Sequence, residues 1–583
     1  MRSPTHHGER GLVLFPVVVI LFIGAALSAA LYTTVHVETS ISTLTRQKSV
    51  ARGFAEGAVE ALKKQILTAR VEHRPLPTTG TITVGHGTAT HSVTPAGTER
   101  NVVDADGIVT LVQPYLIQAV TDERGVIQTV NQIVDVGLTP IFQFAIFYHP
   151  DLEFLPGPNM TLSGRIHSNR DIYIGTHNTL TVNANYLRCP GSIFRVRKDA
   201  STAMEGTVNV RVKDSTAYGR IDSTGQLAAL SIPSIWQGRQ VYLSGFDSTF
   251  AGYDINGDGD YADPLEWSPW TVESLERWNG TVQTGVHGVT EKVAPPIGSI
   301  KRFEPYEGGD WTYNSSSGQY EPANPPGTGT HRKGYYYGMA DIAIIGTNAY
   351  RNDGTAISLP AGTISTRVMY DGRENKLVTL TEVDISLLNS VMSTYVQNAT
   401  EGFLLYAART DTTATQPNGI RLKNGSTLGM KLTVASEDPV YVWGNYNSAD
   451  KKGASVIADA VNLLSNAWND LKLPGTLPGA SNTTYNFAMI SGNSNTTWGN
   501  YNGGLENLPR FHENWNGRTA TIRGSFVNLF LSQYGMGAWV YGGDNYTAPV
   551  RNWDYDTDFN NSANLPPYTP YAAYVQSVAY YQP

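Results

Sequence analysis

Residues 12–31 read LVLFPVVVILFIGAALSAAL, and the rest of the chain is read outward from this run. It carries no charge and is apolar except for Ser28. A helix needs about 20 such residues to cross a bilayer. Residues 1–11 before it are polar and basic, with Arg2, His6, His7 and Arg10. The run is too long for a secretory h-region, and no small-x-small cleavage site follows it. It therefore reads as a signal anchor, and the basic leader predicts the N-terminus inside and the bulk of the chain outside.

The helical pattern continues past the apolar run. Val37, Ile41, Leu44, Ala51, Ala55, Ala58 and Leu62 recur in alternating steps of four and three, with Lys48 as a polar interruption, and Ile66 and Ala69 extend the stripe. Pro75 and Pro77 stop it. The spacing predicts one helical segment over 12–72, with a helix from Leu12 to Arg70 about 90 Å long. The residues alone leave a second reading open, an ordinary anchor followed by a coiled-coil stalk.

Beyond the helix the composition shifts. Of 583 residues 41% are apolar but only 16% charged, against about 25% in an average domain. Gly, Asn, Thr, Ser and Tyr take up the difference, as in secreted and cell-surface β proteins. The net charge of −8 comes with no basic block beyond the first helix, so no nucleic-acid partner is expected. Cys189 is the single cysteine, which excludes an intramolecular disulfide and predicts a buried thiol.

Residues 73–140 read as β. The runs 115–120 and 126–136 flank the turn Asp122-Glu123-Arg124-Gly125, a hairpin signal. From 141 to 583 the pattern is a large, mainly β extracytoplasmic domain. Met160 to Gly175, Val440 to Asn447 and Thr519 to Leu531 are short alternating strands with Gly and Asn at the corners. Such corners suit a β-solenoid, but no fixed period is evident, and a β-sandwich stays open. Within 454–468, Ile457, Ala460, Val461, Leu464, Ala467 and Trp468 share one face at helical spacing and predict a helix. Pro305 to Gly334 reads as a surface loop.

Glu9-Arg10-Gly11 followed at once by an apolar helix resembles the prepilin peptidase site of type IV pilins. The resemblance implies cleavage after Gly11 and methylation of Leu12. Ala51-Arg52-Gly53-Phe54-Ala55-Glu56-Gly57-Ala58 is similar to the helix end of PilX-type minor pilins. Gly164-Arg165-Ile166-His167-Ser168-Asn169, Tyr501 to Asn507 and Asn552 to Thr557 resemble the large ectodomain of PilX-like proteins. In most pilins the fifth mature residue is Glu; here it is Pro16. PilX-type proteins and the large tip pseudopilin of type II secretion share that departure. The family resemblance implies an inner-membrane, single-pass subunit that partners other pilins or pseudopilins and the prepilin peptidase, its ectodomain periplasmic or extracellular. Bulk and the missing Glu together predict a filament tip rather than a repeating subunit.

Asp254-Ile255-Asn256-Gly257-Asp258-Gly259-Asp260 matches the first half of a Ca²⁺ loop. Asp254, Asn256 and Asp258 supply side-chain oxygens, Gly259 the sharp turn and Asp260 a backbone carbonyl. Leu265 stands where the bidentate Glu belongs and Glu266 is one place late, so Asp263 is the expected substitute. Calcium is the only cofactor the sequence suggests. Arg165, His167, Asn169 and Asp171 alternate along a predicted strand and read as a hydrogen-bonded polar face. Glu506 and Glu513 sit in a Trp- and Tyr-rich stretch that fits a surface polysaccharide as partner, and they are the one glycosidase-like carboxylate pair. The leading expectation is a structural, non-catalytic subunit; a membrane-tethered adhesin or carbohydrate-binding protein is the alternative, and a surface polysaccharide-degrading enzyme a more distant one.

Overall fold

The computed structural model describes residues 14–200, 204, 206–215, 218–221, 274, 278–303, 311–314, 319–322, 333–411, 413 and 417–581. Helix α1 runs Leu14–Val71. Its apolar window has a mean hydropathy of 2.6, none of it is buried, and it is long enough to cross a membrane. Just beyond, the hydroxyls of Thr33, Thr34, Thr39, Ser40, Thr43 and Thr45 bond back to carbonyls one turn earlier, which keeps polar side chains compatible with an exposed helix. The second half is different. Ala51, Ala55, Ala58, Leu62 and Ile66 are buried, and small residues there let a sheet approach the helix closely. His73 in the left-handed region and the Arg74 amide bond to the Ala69 carbonyl end the helix before Pro75.

That sheet is antiparallel: β1 (Thr79–Val84), β2 (Gly87–Pro95), β4 (Val109–Glu123) and β5 (Val126–Pro140) in order, with β3 (Arg100–Val103) beside β4. The predicted hairpin is β4–β5, turned by Arg124 and Gly125 at positive φ, 55° and 85°, the values a tight two-residue turn requires. Ile117, Ala119, Val130, Val134 and Val136 face α1. The sheet's last strand is Tyr571–Tyr581, antiparallel to β5. The expected 141–583 unit thus gives its final strand back to the first sheet, and the solenoid described below is an insertion between β5 and that strand.

The insertion is a three-sided stack of parallel strands. Ile146–Tyr148, Leu152–Phe154 and Met160–Ser163 form one coil; Ile166–Ser168, Ile172–Ile174 and Thr179–Asn183 form the next. Ile146 pairs with Ile166, Leu152 with Ile172 and Met160 with Leu180, all in parallel register. Corner polar groups repeat at the same step: the Asp171 amide donates to Asp151 Oδ1 at 3.1 Å across 20 residues, and the Ser192 amide to Asp171 Oδ1 at 2.7 Å. Backbone groups that leave the ladder at each bend are satisfied this way. The same order recurs from 420 onward, with Ile420, Val440 and Val461 in register.

The two runs of coils lie on opposite sides of a shared seam and advance in the same sense along the stack. Coils from 146 onward stack away from it, ending on Val282–Gln283. The chain then resumes at the far end with Ile342–Ile345 and returns coil by coil until Phe526 pairs with Ile146. One 12-stranded sheet spans both runs. Its inner face carries Ile146, Leu405, Val434, Val456 and Met489 into the main core. Its outer face carries Phe147, Leu404, Tyr406, Ala435, Ile457 and Ile490, covered by Ile300, Tyr336 and Phe559.

This double coverage corrects the helix expected over 454–468. That stretch forms two strands, Ala454–Ala458 and Val461–Leu464, turned at Asp459. With both faces buried, the apolar run loses its period of two and imitates helical spacing, while the β-branched Val456, Ile457 and Val461 fit a strand. The expected loop at 305–334 contains a two-stranded antiparallel pair, Trp311–Asn314 with Gln319–Pro322.

Candidate functional site

Gly11, Leu12, Asp254, Asn256, Asp258, Asp260 and Asp263 lie outside the described residues. Cys189 is buried, its thiol 3.7 Å from the Ser192 carbonyl, and burial pushes the thiol well up. Arg165, His167, Asn169 and Asp171 do not share one strand, because the chain bends at Gly164 and again at Asn169. His167 is enclosed, 3.2 Å from Tyr186 Oη, 3.0 Å from Asn169 Oδ1 and stacked on Phe147. Burial, reinforced by Lys292, lowers its pKa to about 3, so it is a neutral packing group. Arg165 holds the Asp106 carbonyl at 2.9 Å, tying β3–β4 to the solenoid.

Glu506 and Glu513 are not brought together. Glu513 is fully buried and accepts from the Ser465 amide at 2.7 Å and its hydroxyl at 2.6 Å, a corner-holding role. Glu506 instead lines an open cleft of about 590 Å³ at the seam. One wall is the turn Leu155-Pro156-Gly157-Pro158-Asn159 of the first run of coils. The other comes from two excursions of the returning run, 501–506 and 539–551.

Why the excursions hold their shape is local. Gly503 and Gly504 both take positive φ, 86° and 55°, and a side chain on Gly504 would meet the Glu153 carbonyl. Trp539 Nε1 donates to Tyr546 Oη at 2.7 Å, and its ring meets Tyr501 edge-on at 5.2 Å. Tyr541 meets Tyr546 edge-on at 5.8 Å and is 56% exposed. The aromatic wall is thus braced from behind.

Among the described residues the cleft also holds polar atoms with no hydrogen-bond partner in the protein. Glu506 Oε1, Tyr501 Oη, and Arg551 Nε and Nη1 are all of this kind. Burial pushes the Glu506 carboxyl up to about 7, and the nearby Arg551 guanidinium pulls it partly back. Behind the wall, Glu153 Oε2 and Tyr148 Oη are also unpartnered and line a second, water-sized cavity. Burial raises Glu153 to about 7 as well. Aromatic side chains beside buried, unpartnered donors and acceptors can bind a flat, hydroxyl-rich ligand.

Sequence reading noted the aromatic stretch from Tyr501 to Phe559 but not its opposing wall. Leu155 and Glu506 are 351 residues apart and meet only because the coils close at the seam. No periodicity or motif in either segment signals that meeting.

No protein family matches the chain, and no curated protein matches it. Among solved structures, it is similar to the competence-associated pilin ComZ from Thermus thermophilus, at 12% identity over 93% of this chain and 98% of that one, with a TM-score of 0.24.

Proposed function

We propose that this protein is a structural minor pilin or pseudopilin of the PilX type, held in the inner membrane by a single pass of α1 and carrying a periplasmic or extracellular solenoid. The observation that carries the reading is one helix with two environments. Leu14 to Leu31 is bare and apolar, the stretch on to Val50 is bare but carries mostly polar side chains, and Ala51 to Val71 is packed under an antiparallel sheet closed by the C-terminal strand. A protruding apolar helix needs lipid or other apolar helices around it. The solenoid is inserted between β5 and the last strand, so the helix-and-sheet unit is left whole, and its bulk opposes close stacking of identical copies. That favours a tip position, as does Pro16 in place of Glu.

On this reading prepilin peptidase cuts after Gly11, Leu12 is methylated, and the subunit has no catalytic task. Asp254, Asn256, Asp258, Asp260 and Asp263 bind calcium. Photo-crosslinking in cells from Leu27 or Ile41, both exposed on α1, tests the assembly. Adducts to the α1-like helices of other pilins are expected. Adducts to lipid alone would replace this reading with that of a tethered adhesin outside any filament.

A further inference from the structure

We infer that the seam cleft is a binding site for a carboxylate-bearing polysaccharide, with Trp539 and Tyr541 as the stacking wall and Arg551 as the carboxylate-recognising group. The inference is independent of whether α1 enters a filament.

Three features of the cleft select this ligand class. Trp539 and Tyr541 line the cleft, each in a T-shaped contact with a neighbouring ring, and Tyr541 is 56% exposed, so the apolar face of a pyranose has an aromatic surface to lie on. Glu506 is 5% exposed yet keeps an oxygen unpartnered, a costly state for a buried polar atom unless a ligand or water meets it. Arg551 lines the cleft and holds two N–H-bearing atoms, Nε and Nη1, buried without a protein acceptor, its guanidinium carbon 5.3 Å above the Trp553 ring. A guanidinium fork held over an aromatic ring matches a planar carboxylate better than a lone hydroxyl. Asn159 and Asn516 in the lining add amide groups suited to sugar hydroxyls. The cleft is open to solvent, and its volume of about 590 Å³ is in the range of small-ligand sites.

The test is calorimetric titration of the detergent-solubilised full chain with three acidic probes, hexagalacturonate, hexamannuronate and a hyaluronan hexasaccharide, and with neutral cellohexaose. At least one acidic probe should bind saturably and more tightly than cellohexaose. Tyr541→Ala and Arg551→Gln should each weaken that binding about tenfold or more. Trp498→Ala, at an exposed residue that does not line the cleft, should leave it unchanged. Tyr541 is exposed, so its variant reports on binding rather than on folding. No binding of any acidic probe up to about 10 mM, equal affinity for cellohexaose, or wild-type binding by Tyr541→Ala would overturn the assignment.

Discussion

Ser525 donates its hydroxyl to the carbonyl oxygen of Phe144 at 2.6 Å, joining residues 381 positions apart. The bond sits on the seam, next to the Phe526 amide bond to the Ala145 carbonyl at 2.8 Å. The solenoid is therefore completed only when its last coil docks on its first. Gly524, just before Ser525, has no room for a side chain, because a Cβ there would meet the Phe487 carbonyl of the preceding coil. Gly524→Ala should cost about 1–3 kcal/mol through overpacking. Gly479→Ala, where a Cβ meets nothing, should stay within about 0.5 kcal/mol. Scanning calorimetry of the two variants checks the contrast.

Asp459 is a second anchor of the returning coils. Its buried carboxylate accepts from Ser532 Oγ at 2.5 Å and from the amides of Gln533, Tyr534 and Gly535 at 2.5, 2.9 and 3.0 Å. Asp459→Ala would remove the carboxylate these donors share, the Gly535 amide keeping its bond to Ser532 Oγ at 2.7 Å, at a cost of about 3 kcal/mol or more. The expected outcome is a lowered urea midpoint together with faster hydrogen exchange at those three amides. An unchanged midpoint would mean that water replaces the carboxylate at no cost.

Glu506 gives a pH-dependent prediction whose sign is fixed by its raised pKa. An acid moved from 4.5 to about 7 on folding binds more protons folded than unfolded between those values. Its contribution is fully favourable below 4.5 and is lost as pH rises through about 7. Glu506→Gln removes that loss. The variant should gain melting temperature relative to the wild type on going from pH 4.5 to pH 8. A constant difference across that range would mean that folding leaves the Glu506 carboxyl at its ordinary pKa.

How much of this was legible follows from which forces act locally. The helix from Leu12 to Arg70 was readable because a charge-free run and a heptad stripe are one-dimensional signals; the observed bounds are Leu14–Val71. The β4–β5 hairpin was readable from Arg124-Gly125. The solenoid's 20-residue step was hidden because it holds only where no excursion interrupts the coils, as from Ile146 to Ile172. The false helix at 454–468 came from burial on both faces, which erases the strand period. The cleft was half visible: Glu506 and its aromatic neighbours stood out, whereas the Leu155–Asn159 wall depends on a long-range closure that no local preference encodes.

Calcium binding at Asp254, Asn256, Asp258, Asp260 and Asp263 is a prediction from sequence. If the loop takes a cation, millimolar Ca²⁺ should raise the melting temperature and EDTA should lower it, by mass action on the folded state. Asp258→Ala should abolish the difference. Superimposable melting curves with EDTA and with calcium would reduce the segment to an acidic turn.

The mature N-terminus tests the central claim most directly, because the anchor, the leader and the pilin-like helix all converge on it. Mass spectrometry of the protein extracted from membranes of cells with an active prepilin peptidase should find methylated Leu12 as the first residue, and Gly11→Leu should restore the full precursor mass. An intact Met1 in the wild-type protein, or a shortened Gly11→Leu variant, would contradict the account.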